Sequence, residues 1–103
     1  VRLDLPGGRV DTGRRNLGSL IGDHAKTAIG TLLGTGTVVG AGASVVGAPV
    51  GRWVRPFAWG SGSEVLTADG FVNIAKRVMP RRQVEVSAEL EAWLRTMHAH
   101  LAQ

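Results

Sequence analysis

The 103-residue chain contains no cysteine, which excludes disulfides and thiol ligands and says little about compartment. It lacks a basic-then-apolar leader with a cleavage site, so secretion is not indicated and a cytoplasmic setting is expected. Val1 stands in place of a starting Met, which agrees with truncation. Despite a net charge of +4 and a pI near 11.1, no five basic residues run together. Arg14 and Arg15, Arg52 and Arg55, Lys76 and Arg77, and Arg81 and Arg82 form separate pairs. They read as a solvated surface with local salt bridges, or as forks for the phosphates of a nucleotide-like ligand. Nucleic-acid binding needs a recognised module or a continuous basic stripe. Neither is present, and no nucleic-acid partner is expected.

Charge is also missing from Thr27 to Gly51, a stretch long enough to cross a bilayer, with Gly30 and Gly34, and Gly36 and Gly40, four residues apart as in packed membrane helices. Two features weigh against a span, and no membrane partner is expected. The segment is rich in Gly and Thr where an inserting helix needs Leu, Ile and Phe. A six-residue beat also runs back out of it, through Asp23, His24 and Lys26.

That beat covers Arg15 to Gly47. Counted from Arg15, the fifth place of successive hexads is small at Ser19, Ala25, Thr31, Thr37 and Ala43. The first place is aliphatic at Ile21, Leu33, Val39 and Val45, with Thr27 and Arg15 departing, and Gly22, Gly34 and Gly40 follow directly. Six matches neither a helix turn nor strand alternation. It predicts a parallel β-helix with three short flat faces, aliphatic groups inside and small residues at the corners. About thirty residues of hexads complete fewer than two coils, and repeat folds need three or more stacked units plus caps, so the chain is expected to be part of a longer protein or held in an oligomer.

Four segments follow. Residues 1–10 alternate around Pro6-Gly7-Gly8 and predict a β-hairpin projecting as an excursion. Residues 11–48 are the hexapeptide coils, and residues 49–66 an aromatic loop with Trp53, Pro56, Phe57 and Trp59. Residues 67–103 form a helical tail. There, Thr67 caps a helix with Phe71, Ile74, Ala75 and Val78 at helical spacing, which Pro80 ends. Ser87 caps a second, with Glu89 and Glu91 in its first turn and Leu90, Trp93, Leu94, Met97 and Leu101 as an apolar stripe.

The string DTGRRNLGSLIGDHAKTAIGTLLGTGTVVGAGASVVG, Asp11 to Gly47, resembles the carboxy-terminal β-helix of sugar-1-phosphate nucleotidylyltransferases fused to an acyltransferase-like domain, within the hexapeptide-repeat acyltransferases. The similar features are Thr12-Gly13-Arg14-Arg15, Leu17-Gly18, Ile21-Gly22-Asp23 and Lys26-Thr27. The later Pro56-Phe57-Ala58-Trp59-Gly60 is similar to the aromatic loop of one branch, and Arg77-Val78-Met79-Pro80-Arg81-Arg82 to its helical tail. The resemblance implies a mainly β fold, a left-handed parallel β-helix fragment with a carboxy-terminal α-helical tail, assembled as a homotrimer. It further implies a parent enzyme of nucleotide-sugar biosynthesis acting on sugar phosphate and acetyl-CoA, with Mg confined to a nucleotidyltransferase domain absent from this chain. In such relatives acetyl-CoA lies between subunits, and a His acts as base on the sugar amine while corner amides stabilise an oxyanion. The coil that carries that His is also absent.

The candidate site residues are therefore few. His24, beside Asp23, is the weak catalytic candidate; its other reading is a polar residue at a solvent-facing corner. Lys26 suits a phosphate of CoA or of a sugar, or else serves solubility. Arg14 and Arg15 are assigned to substrate phosphate, with an ion pair to Asp11 or Asp23 as the simpler account. Gly36, Gly42 and Ala43, with Gly34 and Gly40, are corner residues whose amides could line a thioester groove. Trp53, Phe57 and Trp59 either stack on an adenine or seal the end of a core. His98 and His100 suit the carboxyl end of the last helix. No metal ligand is assigned. Two functions stay open: a module of a nucleotidyltransferase/acetyltransferase, inactive by itself, and a non-catalytic structural or regulatory trimerisation module.

Overall fold

A computed structural model describes residues 1–47, 52–60 and 64–102. It divides into two compact units, Val1–Val65 and Leu66–Gln103. The first unit opens with an antiparallel hairpin, β1 (Arg2–Leu5) and β2 (Gly8–Asp11), turning at Pro6-Gly7 and pairing Arg2 with Asp11 and Leu5 with Gly8. Short strands follow: β3 (Leu20–Ile21), β4 (Lys26–Thr27), β5 (Val38–Val39), β6 (Ser44–Val45), β7 (Trp53–Val54), β8 (Ala58–Gly60) and β9 (Glu64–Val65). They form a parallel sheet in the order β3-β5-β7 and a mixed sheet in the order β4-β6-β8-β9, whose last pair is antiparallel. The first pairings join residues eighteen apart, Leu20 with Val38 and Lys26 with Ser44. The next join residues fifteen apart, Val38 with Trp53 and Ser44 with Trp59.

These sheets correct the expected mainly β, left-handed parallel β-helix. Among the described residues there is no closed or solenoid sheet, only separate sheets of two, three and four short strands. The two α-helices, of 11 and 14 residues, hold more of the chain than all those strands. Three flat faces were expected, and among the described residues parallel ladders form on two of them; hydroxyl groups bond the backbone in the turns between. Thr35 Oγ1 accepts from the Leu17 and Gly18 N–H groups at 3.4 and 3.1 Å, and Ser19 Oγ donates to the Gly34 carbonyl at 3.3 Å. Thr31 and Thr37 hydroxyls donate three residues back, to Ala28 and Gly34 carbonyls at 2.7 Å. Such local bonds favour turns over strands.

The hairpin does not project: β1 lies against β5 and β7, Leu3 is buried, and an Arg52 guanidinium nitrogen donates to the Arg2 carbonyl at 3.2 Å. The core is small, formed by Val39, Ala43, Val45, Val54 and Ala58 with Ala25 against it. The segment read as an aromatic loop contains β7 and β8, while its start at 49–51 and residues 61–63 lie outside the described residues, as does the boundary at 48. Between Thr27 and Gly47 the chain forms short strands and turns, and no described helix is long and apolar enough to cross a membrane.

In the second unit α1 spans Ala68–Val78, a 3-10 turn spans Met79–Arg82, and α2 spans Ala88–Leu101. Thr67 Oγ1 accepts from the Gly70 N–H and Ser87 Oγ from the Leu90 N–H, both at 3.1 Å, satisfying donors that a helix start leaves unpaired. Pro80 sits at the start of the 3-10 turn, which ends on Gln83 at φ 62°. Phe71, Val72 and Ala75 are buried on α1, but Leu94 alone is buried on α2. Trp93, the neighbour of Leu94 in the expected stripe, is 63 % exposed.

Charges tie α1 to α2. Glu91 meets Lys76 at 2.5 Å and Arg95 at 3.2 Å, and Arg95 reaches Asp69 at 2.7 Å. The hydrogen bond from Lys76, and then that from Arg95, hold the Glu91 carboxyl below its usual range. A carboxylate with a folded-state pKa below its unfolded value adds stability above the unfolded pKa and loses it as pH falls through the folded one. Acid titration of unfolding is therefore expected to be shallower in Glu91→Gln than in the parent below about pH 4.5, with the difference fading in molar salt. Equal acid slopes would show that this network contributes nothing.

Candidate functional site

Residues with positive φ recur every six positions, at Gly18, His24, Gly30, Gly36 and Gly42. Two of these corners and Phe57 stack into a column. The Gly42 N–H donates to the Asp23 carbonyl at 2.8 Å and the Phe57 N–H to the Ala41 carbonyl at 2.9 Å, with φ of 59°, 70° and 61° at His24, Gly42 and Phe57. A Cβ on Gly42 would stand 2.4 Å from two carbons of the Phe57 ring. That ring is fully buried and fills the space the glycine leaves.

The amides assigned to a thioester groove already have partners inside the chain. Gly36 N–H donates to the Gly18 carbonyl at 2.7 Å, and Ala43 N–H to the Gly40 carbonyl at 3.3 Å. Ala43 itself lies in the core, and a Cβ on Gly36 would meet Val1 Cγ1 at 2.8 Å and the Arg2 carbonyl at 3.1 Å. A donor that is buried and already bonded has nothing to offer a developing oxyanion.

Lys26 has a different setting. It pairs in register with Ser44, Ser44 with Trp59, and Trp59 with Glu64, so the four cross the mixed sheet as one row. Ala43 and Val45 on either side of Ser44 belong to the core, and Ala58 beside Trp59 does too, so strand alternation turns the row outward. Ser44 is only 8 % exposed although it faces out, which places its short side chain below those flanking it. Partial burial pushes the Lys26 ammonium pKa down. Trp59 is 45 % exposed, so the three aromatics divide: Phe57 packs inward, Trp53 is half-buried and Trp59 stands in the row.

The remaining candidates are not drawn into one place. Arg14 and Arg15 are exposed and their side chains form no ion pair among the described residues. Asp11 instead meets Arg2 at 3.9 Å and accepts from the Gly13 N–H at 2.9 Å. Half-buried His24 holds a corner of the column beside Asp23. His98 Nε2 lies 2.6 Å from the Leu66 carbonyl, a tertiary contact made from the last turn of α2, where His100 also stands. Among the described residues no group of three or more His, Asp or Glu could hold a metal ion. Ser44 and Glu64 escaped the reading of the sequence. Ser44 could have been found, since it follows Lys26 by three hexads; Glu64 joins through an antiparallel strand outside the repeat.

No protein-family model matches the chain, and no curated protein or solved structure matches it significantly.

Proposed function

We propose that this chain is a non-catalytic structural module that assembles with further copies of itself. The observation that carries the reading is the run of apolar side chains left in solvent on edge strand β3 and in the segment after edge strand β4: Leu20, Ile21, Ile29 and Leu32. Leu20 and Ile21 form β3, which ends its sheet, and the adjoining β4 ends the other. Ile29 is fully exposed. Apolar groups concentrated beside open strand edges favour association, since burial of each removes hydrocarbon from water and the edges offer unpaired backbone groups. A homotrimer is the stoichiometry suggested by the resemblance of Asp11–Gly47. Contribution to an acetyl-CoA groove in a sugar-nucleotide transferase has weaker support, because Gly36, Gly42 and Ala43 are buried with their amides bonded.

Sedimentation equilibrium at micromolar protein tests the reading. A trimeric mass is expected for the parent, with dissociation to a folded monomer in Ile29→Lys/Leu32→Lys. A folded parent that remains monomeric, or heat from acetyl-CoA titrated into the protein, would count against it.

A further inference from the structure

We propose that the outward row of the mixed sheet, Lys26, Ser44 and Trp59 with Glu64 beyond, binds a 5′-phosphorylated nucleoside. The base would lie on the Trp59 indole, the sugar hydroxyls over Ser44, and the phosphate at the Lys26 ammonium. Three observations on the row lead there. The order across paired strands is ammonium, hydroxyl, indole, carboxylate. Neighbouring strands stand about 4.8 Å apart, so Lys26 and Trp59 are separated by roughly 10 Å at their Cα atoms. A nucleoside monophosphate presents phosphate, sugar and base in the same sequence over a comparable span. Ser44, the short residue in the middle of the row, faces outward between Lys26 and Trp59 and is 8 % exposed, which puts its hydroxyl at the place of the sugar.

Each contact is of a kind that such a ligand uses. An exposed indole stacks on any base, and Trp59 keeps nearly half its surface in solvent. A lysine on a strand supplies a point charge for phosphate. Glu64, directly across from Trp59, can accept from an exocyclic amino group, which favours adenine or cytosine over uracil. The row needs no second copy of the chain, so assembly and nucleotide binding stand or fall separately.

The test is titration of the whole chain with AMP, adenosine and inorganic phosphate, followed by backbone amide shifts in NMR spectra. AMP at millimolar concentration or below is expected to shift Lys26, Ser44, Trp59 and Glu64, with adenosine and phosphate each weaker by on the order of tenfold. Lys26→Met is expected to bring AMP down to the affinity of adenosine while leaving adenosine unchanged. Trp59→Phe is expected to keep binding within a few fold and Trp59→Ala to lose both ligands. Should Trp59→Ala fail to fold, the Lys26→Met comparison decides. The proposal is overturned by an absence of shifts in the row at millimolar AMP, by equal loss of AMP and adenosine in Lys26→Met, or by phosphate binding as well as AMP. An oligoadenylate that binds far more tightly than AMP, with a steep salt dependence, overturns it as well, since that marks a nucleic-acid strand as the ligand.

Discussion

Gly42→Ala is expected to destabilise the Val1–Val65 unit by about 2–5 kcal/mol, combining overpacking with the penalty for a left-handed conformation. The added methyl would sit 2.4 Å from two Phe57 ring carbons at a residue with φ +70°. Neither partner can yield easily. Phe57 is fully buried and is itself held at φ 61°, with its N–H on the Ala41 carbonyl. Phe57→Ala should cost about 3–5 kcal/mol by leaving a cavity. In the double variant the methyl has no ring to meet, so the two losses should sum to clearly more than the loss measured for the pair. Urea unfolding of the four proteins checks this. A single Gly42→Ala change within about 0.5 kcal/mol of the parent, or strict additivity, would mean that the ring does not occupy that space. A glycine kept open for a thioester would lose ligand and keep stability, the opposite outcome.

Leu94→Ala should cost about 2–5 kcal/mol of unfolding free energy, while Trp93→Ala stays within about 0.5 kcal/mol. The contrast is sharp because sequence pattern alone ranks the tryptophan as the larger apolar contribution to the stripe. Leu94 is fully buried and Trp93 is 63 % exposed, so removing the smaller side chain leaves the larger void. Thermal unfolding of both variants decides it, and a Trp93→Ala loss matching that of Leu94→Ala would show that α2 turns a different face inward.

Local signals in the sequence were the most legible. The hydroxyls of Thr67 and Ser87 announce helix starts because a short acceptor before an apolar-periodic run has few other uses, and both accept the N–H three residues on. The six-residue beat fixed the pairing offset of Leu20 with Val38 and Lys26 with Ser44, but the left-handed parallel β-helix inferred from beat and resemblance together was wrong. Periodicity says nothing of the Thr35, Ser19 and Thr37 hydroxyls that bond the backbone in the turns between the short strands. The strands β7 and β8 were missed because their pairing offset drops from eighteen to fifteen, which breaks the phase just where Pro56, Trp53 and Trp59 resemble a loop. Among the site residues, Lys26 stands out in the sequence for its charge, yet its neighbours in the row come from register. Gly36, Gly42 and Ala43 stand out for small size, a property that serves close packing at least as often as ligand approach. The Phe57 ring under Gly42 and Val1 against Gly36 take up that room.

Amide hydrogen exchange at Gly36, Gly42 and Ala43 bears most directly on whether these corners are structural. Bonded to the Gly18, Asp23 and Gly40 carbonyls, all three should exchange far more slowly than an unfolded chain and should be unmoved by acetyl-CoA. Exchange at the unprotected rate, or protection that appears only when acetyl-CoA is added, would contradict the account and return these residues to a ligand groove.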